Sequence, residues 1–576
     1  MTEQASNHPI QTTAALHKLE FDKVVERICE LTVSESGRHL AARLAPRVDR
    51  TDIESELLKV SEAKELLIGE GSLPLTSFKN ILPALKKTAV ENQVLSVVEL
   101  AEIAETIRIS RTLRAFLAKH AVQTPRIGAY HAQLYAEKLV EHHINEAIDD
   151  RGMVRDSASR ELREIRRSLI AASEALLKKL ETILRDVSDK ELLREEIITT
   201  RDGRFVIPVK TEYKYRVPGF IHSTSGSGAT VFVEPAESLE LNNGLRELQI
   251  REQREIHRIL ADLTRQVQEI RAPLELSFST LTELDVIVAR ARYSVEIIGF
   301  PPALSRLPGF HLVRARHPIL LRHMKREEVV PLTMELGGDP RTLLITGPNA
   351  GGKTVTMKTA GLLTACAQAG IHIPADPESE IYPFKRLFVD IGDDQSIEND
   401  LSTFSSHLLF LRTVLEQANE ESLVLIDEIG AGTDPAEGGA LAAVVLEELT
   451  RRGGATIATT HHGTLKAFAH KTPGMANASM EFDQESLKPT YRFRSGMPGS
   501  SYAFELAERL GIRRSVIESA RLQVGDEKSR LEALLLVNRK PVHTEGIGQQ
   551  NHEGKQNDHQ REISDHGEHM LQGHGV

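Results

Sequence analysis

The chain has 576 residues, 40% of them hydrophobic and 27% charged, with a net charge of −11; that length outgrows one hydrophobic core, so roughly two to four domains are expected. The acidic balance gives no support for nucleic-acid binding by bulk attraction, while a locally basic segment can still bind nucleic acid. The two cysteines, Cys29 and Cys366, suit neither a disulfide framework nor a zinc site, and the start lacks a secretion pattern while no apolar run is long enough to span a bilayer, so a cytoplasmic protein with no membrane partner is the expectation.

Residues 14–120 read as successive amphipathic helices. "ALHKLEFDKVVERICELTV" repeats apolar residues at three- and four-residue steps, and breaks such as "APRVD" and "GEGSLPLTS" separate the segments. A long charged helix follows, from about Asp156 to Glu195. Its seam of Leu162, Ile165, Leu169, Ala172, Leu176, Leu180 and Ile183 has coiled-coil spacing. A second helix, about Glu237 to Arg271, offers Leu245, Leu248, Ile256, Leu260, Leu263, Val267 and Ile270. Between them, at about 196–234, lies a β-rich insert with a turn signal at Asp202-Gly203. Two long helices flanking a small β tip imply an antiparallel arm with a reach of roughly 50–60 Å. A bundle folded back on itself is the alternative, but polar residues cover too much of each helix to bury both.

From about Leu312 the pattern changes to short apolar strands alternating with helices. "RTLLIT", "LFVDIG", "SLVLIDE" and "ATIATTH" are the strand candidates. The expected fold class is therefore multidomain: a mainly α-helical N-terminal core (1–120), a lever and coiled-coil clamp arm with a β tip (121–300), an α/β P-loop domain of the ABC-like type (301–536), and a polar His-rich tail (537–576). The tail is expected to be disordered.

The chemistry begins at "GPNAGGKT". Gly347, Pro348, Asn349, Ala350, Gly351, Gly352, Lys353 and Thr354 fit the phosphate-loop pattern, between an apolar strand and a helix. Glycines let backbone N–H groups converge on phosphates, and the helix N-terminus adds partial positive charge. Lys353 would reach the β- and γ-phosphates of ATP, and the Thr354 hydroxyl would ligate Mg²⁺. A partner motif follows in "SLVLIDEIGAGTDP". There Asp427 ends a buried strand and supplies a carboxylate on the metal side, while Glu428 polarises the attacking water. In "TIATTHHG", His461 could contact the γ-phosphate, although spacing alone does not choose between it and His462. Ser402 and Thr403 stand at a helix start, where a hydroxyl serves as a cap.

With these pieces in this order, the chain resembles the MutS family of ATPases. "GPNAGGKT", "STF" at 402–404, "LVLIDEIGAGTDP" and "TTHH" carry the resemblance, with "RHP" at 316–318 and "GSSYAFELAERLGI" at 499–512 adding to it. "LHKLEFDKVVERI" in place of a mismatch-reading domain, with "GRFVIPVK" and "GFIHSTSGSGATVFVEP" in the arm, is similar to the second bacterial branch. The resemblance implies a homodimer in which Ser402 and Thr403 complete the partner subunit's ATP site. It further implies γ-phosphate contacts from Asn349 and His461, Glu428 as the base, and a clamp motion of the helical arms. As target it implies branched or duplex DNA, with suppression of recombination, or alternatively the ribosome and its rRNA, with the splitting of collided ribosomes.

Two departures temper it. Mismatch reading in the family uses a Phe-x-Glu wedge near the N-terminus. Here Phe232-Val233-Glu234 lies in the β insert and reads as strand packing. Members of this branch also continue into a small nuclease domain, whereas the polar tail carries six histidines after position 540 and no such pattern. Endonuclease activity is therefore not expected, and an inactive, nuclease-less remnant is the third reading. The arm arginines Arg160, Arg163, Arg166, Arg167, Arg251, Arg254 and Arg258 could meet phosphates or form an ordinary solvated face.

Overall fold

The computed structural model describes residues 13–188, 191–193, 195–348, 351–392, 403–483, 488–499, 507–508, 511–520 and 522. The expectations for Asn349, Ala350, Ser402, most of 499–512 and the tail 537–576 lie outside these residues. Residues 1–506 and 507–576 form separate units. In the second, residues 514–520 are helical, and the Ile512 N–H donates to the Ala507 carbonyl at 3.0 Å.

Helices dominate up to residue 296, and local chemistry sets several of their starts. Asp49 caps helix Arg50–Glu70 through the Asp52 N–H. Helix Val97–His120 opens with a reciprocal capping box between Ser96 and Glu99. Leu100, Ile103, Ile107 and Leu117 recur at helical spacing and form one core with Ile259, Leu263, Phe278 and Leu281 from helices much later in the chain.

The two long helices run Arg160–Ser188 and Leu239–Glu269, shorter than their charge pattern suggested. The first stops early because Leu192 and Leu193 leave the helical path to enter the core of the tip, where Leu193 bridges Val209. The second stops at Ile270, whose φ of −105° and ψ of 14° break the helix before Arg271–Glu296 resumes it. Of the expected seam, Leu162, Ile165, Leu176, Leu180 and Ile183 are buried.

The tip is a four-stranded antiparallel sheet in the order Thr199–Arg201, Arg204–Lys210, Thr230–Pro235, Gly219–Thr224. Phe232 lies under the Arg201 guanidinium, 4.0 Å from the ring centre. Val233 is fully buried, and Glu234 accepts from Arg204 and pairs with His222, both at 2.6 Å. All three members of the Phe-x-Glu triplet are engaged in packing within the tip.

Beyond residue 300 the chain builds two sheets. The larger has six strands in the order Arg386–Asp390, Ser422–Ile426, Ala455–Thr459, Thr342–Thr346, Met475–Asp483, Lys488–Ser495. Its first five strands are parallel, and only the last pairs antiparallel. The strands Ser422–Ile426, Ala455–Thr459 and Thr342–Thr346 are buried throughout, as expected of a parallel sheet covered on both faces. The smaller sheet, Ala303–Leu304, Glu380–Ile381, Gly309–Ala315 and Leu332–Gly337, was not legible in the sequence.

One buried ion pair joins the helical layer to the sheet layer. The Arg290 guanidinium, 3% exposed, donates to Glu56 at 2.7 Å and to the Gly370 carbonyl at 3.2 Å. Gly370 has φ 69°, and a Cβ there would come within 2.6 Å of Glu56 and 2.7 Å of Arg290. Burial pushes the Glu56 carboxyl up, but the attraction of Arg290 with hydrogen bonds from Lys59 and Arg290 outweighs it and holds the group at about 2. Its folded value lies below the ordinary 4.5, so the stabilisation is complete above that ordinary value and is lost as pH falls toward 2. Glu56→Ala leaves Arg290 buried without its counter-charge and is expected to cost about 3 kcal/mol. Urea unfolding of both proteins at neutral pH and at pH 3 checks this, the gap between them narrowing at pH 3.

Candidate active site

Strand Thr342–Thr346 delivers Gly347, with φ 134°, at the carboxyl edge of the central sheet. The loop then turns into helix Lys353–Gln368 through Gly352 at φ 91°. Both angles suit glycine and strain any other residue. In open α/β sheets this edge, where strand order reverses, is where ligands bind.

Lys353 is only 2% exposed, and its Nζ donates to the Gly347 carbonyl at 2.8 Å. Burial lowers the ammonium from its ordinary value, opposed by the nearby Glu428 and Asp427 carboxylates. The next residue, Thr354, donates its hydroxyl to Asp427 Oδ2 at 2.7 Å. Two motifs 73 residues apart are therefore in direct hydrogen-bond contact.

Asp427 follows strand Ser422–Ile426 and is held from a second side by Thr459. The Thr459 hydroxyl donates to Asp427 Oδ1 at 2.5 Å and accepts the Glu428 N–H at 2.8 Å. One side chain thus orients both acidic residues, and the sequence reading missed it. The signal was the threonine ending a buried strand directly ahead of "THH". Glu428 has φ 52°, a left-handed conformation uncommon for a non-glycine residue and a recurrent feature of functional sites.

The two adjacent histidines separate cleanly. His461 Nε2 lies 3.3 Å from Lys353 Nζ and 3.6 Å from Glu428 Oε1. Burial, then the Lys353 charge, lower its pKa against the pull of Glu428, so at neutral pH the ring is uncharged and Nε2 can accept from the ammonium. His462 turns away, its Nε2 3.1 Å from the Gly430 carbonyl, and supports the turn that follows Glu428. Thr403 begins helix Thr403–Gln417, and Gly432, just past the acidic pair, lies against Phe404 of that helix.

A cavity of about 320 Å³ opens beside the loop. Gly352, Val355, Thr356, Val329, Leu332 and Tyr491 are among the residues that line it. His317 of the "RHP" triplet also lines it, buried, with no hydrogen-bond partner for its Nδ1 among the described residues, and burial pushes its imidazole down to about 4. Tyr491 has φ 58°, and its ring sits 3.2 Å from where a Cβ on Gly352 would stand.

The donor set fits a hard divalent cation: a threonine hydroxyl and an aspartate carboxylate already in contact, with a lysine to share phosphate charge. Along the two long helices, Arg160, Arg166 and Arg258 are committed to Glu164, Glu252 and Glu255. Arg163, Arg167, Arg251 and Arg254 are exposed and make no ion pair among the described residues.

Residues 343–526 match the family model for MutS domain V. The chain is 43% identical over 523 residues to the "Endonuclease MutS2" of Geobacillus thermodenitrificans, covering 90% of this chain and 66% of that protein. Matches at 44% to the protein of the same name from Pelotomaculum thermopropionicum and at 41% to the "Putative endonuclease MutS2" of Bacillus subtilis have the same coverage. The chain therefore spans 66% of the length of these curated relatives.

Proposed function

Because the chain belongs to the second branch of the MutS family, that of the MutS2 proteins, we propose that it is a dimeric, Mg²⁺-dependent ATPase acting on nucleic acid. The observation that carries this reading is the Thr354–Asp427 contact, with Thr459 holding Asp427 and Glu428 in register. Thr354 and Asp427 are the residues that would hold Mg²⁺, which would supply neutralisation of phosphate charge.

In this reading the loop N–H groups and Lys353 grip the phosphates, exchanging the Gly347 carbonyl for phosphate oxygen. Asn349 and His461 face the γ-phosphate. Glu428 positions and deprotonates the attacking water. The apolar cavity beside Gly352 takes the nucleobase, with Tyr491 as its cover. Ser402 and Thr403 reach the nucleotide of the partner subunit, so neither copy encloses its substrate alone. The exposed arginines of the two long helices serve as phosphate contacts for branched or duplex DNA, and the resulting clamp restrains recombination.

Steady-state ATP hydrolysis measured across a protein-concentration series, alone and with junction DNA, duplex DNA or ribosomes at several salt concentrations, tests both halves. Turnover per chain is expected to rise and then level as dimers form, with junction DNA changing it more than ribosomes do. Full turnover from a species that stays monomeric sinks the dimeric site. A response to ribosomes alone transfers the arm to an RNA-protein target.

A further inference from the structure

The Asp390 carboxylate has no part in the roles above, yet it lies beside them. Asp390 ends strand Arg386–Asp390, and its backbone carbonyl accepts the Asp427 N–H at 2.8 Å. Its side chain, 9% exposed, has His407 Nδ1 at 2.5 Å and Lys18 Nζ at 3.5 Å. His407 sits one turn into helix Thr403–Gln417. Lys18 ends the helix Thr13–Lys18, and the next residue, Leu19, is buried against helix Lys353–Gln368. A Cβ on Gly361 of that helix would come within 2.8 Å of Leu19 and 2.5 Å of Leu425.

One residue thus meets three segments: its backbone carbonyl holds the Asp427 N–H, and its little-exposed carboxylate meets the helix that begins at Thr403 and an N-terminal segment lodged against the phosphate-loop helix. Buried carboxylates persist where they are paired, and the pairing fixes the geometry of whatever carries the partners. We propose that Asp390 is a positioning residue: its backbone carbonyl holds Asp427 while its carboxylate fixes the helix that begins at Thr403, so that the metal-side edge and that helix keep one register. Each chain's own site and its contribution to the neighbouring site then move as one. This rests on the ATPase reading above. A carboxylate that only anchored the N-terminal segment would stabilise the fold and leave turnover of folded protein untouched.

The test compares Asp390→Asn, His407→Gln and the double variant in the full chain, at a temperature where circular dichroism shows each one folded. Each single change is expected to lower kcat about tenfold with KM for ATP held within about twofold, since small misplacements at a reacting centre cost rate. The double variant is expected to lose no more than either single one, as for two residues acting through one contact. A kcat within about twofold of the parent, losses that multiply in the double variant, or a KM rising in step with the loss of kcat overturns the proposal. Should Asp390→Asn fail to fold, His407→Gln alone carries the same split between kcat and KM. A parent protein that hydrolyses no ATP defeats the ATPase reading, whereas an active parent with unaffected variants defeats only the role of Asp390.

Discussion

Glu428→Gln is expected to lower kcat for ATP hydrolysis about 100- to 1000-fold while leaving the Kd for ATP within about twofold. A positioned general base contributes about 10²–10⁴ in rate, and glutamine keeps the size of the side chain while losing the basic oxygen. The backbone arrangement should survive, because the Glu428 N–H is held by Thr459 and the φ of 52° belongs to the turn rather than to the carboxylate. Nucleotide binding should survive too, since the contacts of Lys353 described above run to the Gly347 carbonyl and His461. Stopped-flow binding of a fluorescent ATP analogue alongside phosphate release separates the two quantities. A variant that turns over within about fivefold of the parent removes Glu428 from the base role.

Lys353→Ala should fail in the opposite pattern, losing binding and turnover together. The parent ammonium is nearly enclosed, held by the Gly347 carbonyl at 2.8 Å with His461 at 3.3 Å. Burial already disfavours its charged form, so it is primed for an anion. Hydrogen bonds to charged groups are worth about 1.5–3 kcal/mol each, which corresponds to a rise in Kd of roughly 10- to 150-fold. Arginine is not expected to rescue, because its wide planar fork does not fit where a single Nζ is threaded between Gly347 and His461. Isothermal titration with ATP gives the affinity, and retained micromolar binding by Lys353→Ala would contradict the assignment.

Much of this site was legible because its parts lie in short, unbroken apolar runs with punctuated ends. The strands 342–346, 386–390, 422–426 and 455–459 announce themselves in that way, and glycine or acid marks where each stops. The partnership of Thr354 with Asp427 also follows from motif order. What stayed hidden depends on contacts between distant positions. Glu56 and Arg290 are 234 residues apart, and Lys18 and Asp390 are separated by 372; no local periodicity reports either. Thr459 looks like any β-branched strand residue until the fold sets its hydroxyl between Asp427 and the Glu428 N–H. The choice between His461 and His462 is likewise one of direction, which neighbouring positions in a sequence cannot express. The smaller sheet escaped notice because two of its strands are two residues long.

The break at Ile270 has a mechanical consequence. Helix Leu239–Glu269 and helix Arg271–Glu296 meet at that single residue, and Arg290 in the second is pinned to Gly370 just past the phosphate-loop helix. Under the proposed ATPase reading, any shift of that helix on nucleotide turnover would be handed to a strut whose outer member measures about 46 Å at 1.5 Å per residue. A pivot of only about 5° at the joint sweeps the far end through roughly 4 Å. On that reading, ångström-scale events at a phosphate would be geared up to the breadth of a base or a backbone groove.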